Sequence, residues 1–228
     1  MAEMGLGYGS EYQLLRFLGH HRNELNEIIA RSIDSEDVIE WFDFPYNLKR
    51  ISLDGEYTGM NFMKNHRGYS EIVESWSELW PPNGSPPNWD AIAVTGETFL
   101  LVEAKAHLGE IVSSSGASDD SRLIIGKAFD QFKAKYKIQC ANDWFKKYYQ
   151  LANRLVCADF LHQNGVSAKL LYVYFLNGYD KKIGNPESKS VKSIDDWKVA
   201  IEAEYEYLGL CGTDAMSLIN TVYVDCIS

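Results

Sequence analysis

The chain lacks any apolar run long enough to span a bilayer: the longest, Leu170 to Leu176, falls far short of the roughly 20 residues a spanning helix needs. No basic segment followed by an apolar one opens the N-terminus, so export is not expected and a cytoplasmic location is. Cysteine is scarce. The four present, Cys140, Cys157, Cys211 and Cys226, include no C-x-x-C pair, which argues against a zinc cluster or a disulfide framework and for reduced interior thiols. Internal repeats, a Pro-rich linker and a low-complexity tail are absent too. Positive charge is in deficit. A formal net charge of −10 excludes a protein that coats nucleic acid nonspecifically, because such binding is driven by neutralising phosphates. Contact with a polyanion has to be local.

What is present suits one domain over residues 1–228, since 228 residues at 46% hydrophobic content supply a complete core. Leu14, Leu18, Leu25, Ile28 and Ile29 recur at helical spacing and predict an amphipathic helix from about Glu11 to Ser32. Val38 to Phe44 reads as a strand closed by Pro45, and the Gly-punctuated interval from Asn47 to Gly68 as strand or loop. A short helix, Tyr69 to Trp80, stops at the proline-rich stretch that starts at Pro81. Trp89 to Thr95 and Thr98 to Ala106 form a strand pair around a tight Gly96-Glu97 turn. Ser113 to Ser121 is a loop; helices are predicted over Arg122 to Tyr136 and Asn142 to Gln163. A buried strand at Leu170 to Leu176, a helix opened by Ser193 and running to about Leu208, and a last strand, Ile219 to Cys226, complete a mixed α/β (α+β) domain with helices around a central sheet.

The chemistry concentrates in the strand pair. Asp90 shares a face with Ile92 and Val94, and Glu103 and Lys105 share one with Leu101, because strand side chains alternate; a tight hairpin can bring the two faces together. Two carboxylates and an ammonium near the buried side of a sheet must pair or hold a cation. Oxygen ligands from Asp90 and Glu103, with the backbone carbonyl of Ala104 between Glu103 and Lys105, suit Mg²⁺, or Mn²⁺, whereas zinc favours His or Cys. Lys105 is placed to orient or help deprotonate an attacking water. A solvated, salt-bridged surface hairpin is the plain structural alternative. A glycosidase plan for the Asp90 and Glu103 pair is disfavoured by a lysine two residues from one acid on the same face.

Asp90, then twelve residues, then Glu103-Ala104-Lys105 resembles the active-site signature of the PD-(D/E)XK nuclease superfamily, with Trp89 standing where the family name has proline. The bare acid-x-Lys pattern recurs at Asp180-Lys182, Glu187-Lys189 and Asp196-Lys198, but only Glu103-Lys105 lies in an apolar strand facing another acid-bearing strand across a turn. The resemblance implies a restriction-endonuclease-like α-β-β-β-α-β core from about Glu11 to Asn177, and metal-dependent cleavage of nucleic acid, DNA being the expected substrate, in restriction, repair or defence. It also implies a further carboxylate on the first helix. Glu24 flanks that helix's buried face, whereas Glu27 points away; Glu71 lies opposite the apolar side of the next helix. Gln131 resembles an accessory active-site glutamine.

Between Arg122 and Lys147, one Arg and six Lys face only Asp130 and Asp143, a local charge of +5. Lys127, Lys133, Lys135 and Lys137 are thereby candidates to hold a nucleic-acid backbone, with Trp144, Phe145, Tyr148 and Tyr149 adjoining as stacking rings. A solvated helix face with aromatics in the core is the plainer reading of the same stretch. His107 extends the Glu103-Lys105 face and can touch phosphate or water. The competing function is a non-cleaving nucleic-acid-binding or protein-interaction module that retains the fold; a homodimer or a partner subunit stays open.

Overall fold

The computed structural model describes residues 9–44, 56–81, 86–178 and 190–227. The chain runs through α1 (Gly9–His20), α2 (Arg22–Ile33), β1 (Ile39–Trp41), β2 (Tyr57–Thr58), α3 (Tyr69–Leu79), β3 (Asn88–Trp89), β4 (Ala91–Thr95), β5 (Thr98–Lys105), α4 (Asp119–Lys135), α5 (Tyr149–Gln163), β6 (Ala168–Leu176), α6 (Ile194–Leu208) and β7 (Ile219–Asp225). Five strands form a mixed sheet in the order β1-β4-β5-β6-β7, and β2 pairs with β3 in a separate two-stranded ladder. The first two junctions of the sheet are antiparallel and the last two parallel. This is the mixed α/β architecture expected, with helix, three antiparallel strands, helices and a parallel strand following one another in chain order.

The hairpin turns at Gly96, whose φ of 56° a side chain rarely adopts. Central strands β5 and β6 are buried on both faces, which is why they read as nearly continuous apolar runs. One face packs Ala91, Ala93, Leu100, Val102 and Leu171 against Leu14, Phe17, Leu25 and Ile29 of α1 and α2. The other sets Ile92, Leu101, Leu170 and Tyr172 against the buried sides of α3, α4, α5 and α6. Among the described residues, no helix is long and apolar enough to cross a membrane, and all four cysteines are free.

Several elements depart from the expected boundaries for physical reasons. The single helix expected over Glu11 to Ser32 is two, broken at His21 (φ −130°), next to a turn containing Gly19, where the Arg22 guanidinium takes the Leu18 carbonyl at 2.9 Å. The helix expected from Asn142 starts only at Tyr149, because Trp144 and Tyr148 are buried as core side chains and Tyr148 takes a φ of 58°. Helix α4 begins three residues earlier than expected, with the Ser118 side chain accepting from Ser121 N–H as its N-cap. Of the segment expected as strand or loop, Asn47 to Gly55 lies outside the described residues, as does Pro45; Tyr57–Thr58 is strand and Asn61–Met63 a 3₁₀ turn.

Leu171 sits fully buried in the middle of β6, facing the α1 and α2 layer. Leu171→Ala is expected to lower unfolding free energy by about 2–5 kcal/mol in urea titration; a loss under about 1 kcal/mol would mean that this face is not the packed core described.

Candidate functional site

Because β5 is covered on both faces, its charged side chains must be met by protein groups instead of water. Glu103 is 2% exposed and Lys105 5%. Lys105 Nζ donates to Glu103 Oε1 at 2.6 Å and to Gln150 Oε1 at 2.7 Å, while Gln150 Nε2 donates to the same Glu103 oxygen at 2.6 Å. Arg154 Nε takes the other oxygen, Oε2, at 2.6 Å. Both partners come from the first two turns of α5, at the i, i+4 spacing that puts side chains on one helix face. Arg154 also donates to the carbonyl of Asn88 at 2.6 Å and to Asn153 Oδ1 at 3.1 Å, tying α5 to β3.

Asp90 lies at a break. Its N–H donates to the carbonyl of Val102 at 3.1 Å, and Val102 already pairs with Ala91, so two residues oppose one in the pattern of a β-bulge. Simple alternation with Ile92 and Val94 therefore does not extend to Asp90. The bulge sends its carboxylate onto β5, where Oδ2 accepts the Ala104 N–H at 2.7 Å in place of the ladder. Among the described residues, Oδ1 has no hydrogen-bond partner. Since N–H and C=O of an extended residue project toward the same neighbour, the Ala104 carbonyl is directed to the Asp90 side. On the other flank, the Tyr57–Trp89 pairing of β2 with β3 carries Glu56 beside Asp90 and Asn88.

Charge on these groups follows from burial and neighbours. Burial, then the Glu103 charge, pushes Asp90 well above the usual carboxylate range, against the pull of Lys105. Burial opposes ionisation of Glu103 as well, but the Arg154 guanidinium and the Lys105 ammonium outweigh it and hold that carboxyl below its ordinary value. Glu56 is raised by burial and by Glu103. From α6, Glu204, 3% exposed, is pushed up to about 8 by burial, with Lys105 drawing it down and Glu103 raising it. Tyr172, paired in register with Glu103, buries a hydroxyl without a hydrogen-bond partner among the described residues.

The structure thus brings Asp90, Glu103, Ala104 and Lys105 together and leaves the other expected residues elsewhere. Glu24 is on α2, which covers the opposite face of the sheet, and it faces His21 at 3.7 Å. The acid that does flank Asp90 is Glu56, outside every helix. Gln131 is exposed on α4 and lines a groove with Glu78, Asp159 and Gln163, away from Glu103; the amide at the acids is Gln150. His107 faces Glu110 at 3.4 Å just beyond β5. Lys127 and Lys137 are exposed, but Lys133 lies over the Trp144 ring at 4.4 Å and Lys135 pairs with Asp159 at 2.5 Å. Trp144 and Tyr148 are buried, so those two rings are core and not a stacking surface.

Among the described residues, no three His, Cys, Asp or Glu side chains stand grouped as a ready metal site. The chemistry of the donor set nevertheless fits a hard divalent ion: Asp90 Oδ1, the Glu56 carboxyl and the Ala104 carbonyl are all oxygens, and burial followed by the Glu103 charge raises both Asp90 and Glu56, a cost of ionisation that a cation would offset.

Glu204 provides a test of this buried charge balance. In the unfolded chain it ionises near its ordinary 4.5, in the folded protein near 8, so between these values the folded state holds an extra proton and stability falls as pH rises. Glu204→Gln is expected to remove that slope, its stability relative to the native sequence climbing by about 1.4 kcal/mol per pH unit in mid-window. Parallel stability curves from pH 5 to pH 8 would show that Glu204 titrates normally. Comparison of the chain with family models, with curated proteins and with solved structures gives no match, so the reading of the site rests on its own residues.

Proposed function

We propose that the chain is a metal-dependent phosphodiesterase acting on nucleic acid, DNA being the expected substrate, with Asp90, Glu103 and Lys105 as its active centre. The observation that carries the reading is the bulge at Asp90: it presents one free carboxylate oxygen beside the Ala104 carbonyl and next to a buried Glu103-Lys105 pair. A salt-bridged surface hairpin, the plain alternative, would leave the Glu103-Lys105 pair solvated, and both residues are buried, with Asp90 partly so. The resemblance to the PD-(D/E)XK signature and the α-β-β-β-α-β order of elements support the same reading.

Asp90, Glu56 and the Ala104 carbonyl would hold the ion, with Glu103 joining by releasing one of its donors. A bound divalent ion polarises the phosphate and lowers the pKa of a bound water. Lys105, already directed to Glu103 and Gln150, supplies a positive charge for the oxygens that become negative as phosphorus is attacked. Gln150 fixes the Lys105 ammonium, and Arg154 keeps Glu103 ionised inside the sheet.

One observation favours the non-cleaving module: both Glu103 oxygens are already occupied, by Lys105 and Gln150 on one side and Arg154 on the other. Plasmid and linear DNA incubated with Mg²⁺, Mn²⁺ or EDTA separate the readings. Cleavage is expected with either metal and none with EDTA. Asp90→Ala is expected to abolish Mg²⁺ binding in calorimetry, whereas Lys105→Ala keeps the metal and loses roughly 10²-fold or more in rate. Full activity in EDTA would contradict the metal assignment, and DNA binding without turnover in any metal would establish the module instead.

A further inference from the structure

A second feature adjoins the acids. The segment after Glu56 packs against Phe42 and Asp43, just past β1, to leave a cleft of about 360 Å³, within the roughly 300–1,000 Å³ range of small-molecule sites. Three of its walls are aromatic: Phe42, Tyr57 and Phe62. Phe42 and Tyr57 meet edge to face at 6.3 Å, the Tyr57 hydroxyl donates to the Asp43 carbonyl at 2.6 Å, and Phe62 packs on Phe99 at 5.3 Å, so the rings are fixed by partners. Between them stand two exposed amides, Asn61 and Asn65, and one exposed cation, Lys64. Asn61 Oδ1 takes the Tyr69 hydroxyl at 3.5 Å, which leaves its NH₂ group to donate outward.

Flat apolar faces beside amides that both donate and accept are the complement of a heteroaromatic base, whose edges carry alternating donors and acceptors and whose faces stack. Glu56 links the two places, since it lines the cleft and the antiparallel Tyr57–Trp89 pairing sets it opposite Asp90. A base seated there would direct its phosphate toward the Glu56 end of the cleft. We infer that this cleft is a nucleobase-binding site, which positions an unpaired nucleotide so that the adjoining phosphate meets Asp90 and Glu103. It rests on the phosphodiesterase reading for its purpose, but not for its ligand chemistry.

The test is binding in EDTA, where no turnover is in question. Saturation-transfer NMR on the full chain with each of the four deoxynucleoside 5′-monophosphates is expected to show base protons in contact with the protein, and ribose 5-phosphate is expected not to bind. Asn61→Ala/Asn65→Ala, both exposed and so compatible with folding, is expected to weaken the preferred nucleotide at least 10-fold; Tyr57→Leu is a second variant that removes the ring face, with unchanged circular dichroism as the control for each. A single-stranded oligonucleotide containing 2-aminopurine distinguishes the source of the base: tighter binding than the mononucleotide, through the same residues, assigns the site to nucleic acid, and equal or weaker binding assigns it to free nucleotides. Absence of any base contact, ribose 5-phosphate binding as tightly as the nucleotides, or affinity unchanged in both folded variants would overturn the inference. DNA cleavage without mononucleotide binding would refute the cleft alone, and mononucleotide binding without cleavage in any metal would refute the phosphodiesterase alone.

Discussion

The site depends on keeping Glu103 ionised inside a sheet that is closed on both faces. A carboxylate with no water around it persists only when charge and hydrogen bonds replace hydration, and here three donors converge on two oxygens within 2.6 Å. That demand fixes much else. Helix α5 has to start where Gln150 and Arg154 reach β5, and the left-handed Tyr148 sets that start. Arg154 in turn holds Asn88, and so the approach to Asp90. The ladder of β4 ends in a bulge there, freeing the Ala104 N–H for a side chain. Removing Arg154 or Lys105 leaves Glu103 short of counter-charge, and removing Gln150 leaves it short of a hydrogen-bond donor.

Parts of this were legible in the chain. The Gly96-Glu97 turn and its alternating flanks locate the hairpin, and Glu103-x-Lys105 within an apolar run marks a charge that needs a partner. Ser193 caps its helix as a short polar side chain does, whereas the Ser118 cap lies in a stretch that reads as loop. The partners were harder to see. Gln150 and Arg154 stand four apart on a helix otherwise rich in Leu, Ala and Val, a faint signal for polar groups aimed at a buried charge. Glu204 likewise falls on the stripe of Trp197, Ile201 and Leu208, where an acid must be buried.

What could not be read locally depended on pairing between distant segments. Glu56 reaches Asp90 only because β2 pairs with β3, 30 residues apart by the Gly59 to Trp89 hydrogen bond, and no periodicity announces a two-residue strand. The bulge at Asp90 is set by its competition with Ala91 for Val102. Glu24 flanks the buried side of its helix as helical spacing implies, but which face of the sheet that helix covers is a tertiary choice that the spacing does not contain. The lysines of α4 show the same limit: their number is visible in the sequence, whereas the partners that engage Lys133 and Lys135 are not.

The most direct test is a double-mutant cycle in chemical denaturation with Glu103→Gln, Arg154→Met and the pair together. Each single change leaves a buried group without its counter-charge and is expected to lose about 3–5 kcal/mol, while the double variant loses much less than the sum, giving a coupling of at least about 1.5 kcal/mol. Additivity within about 0.5 kcal/mol would show that the buried Glu103 charge does not depend on Arg154.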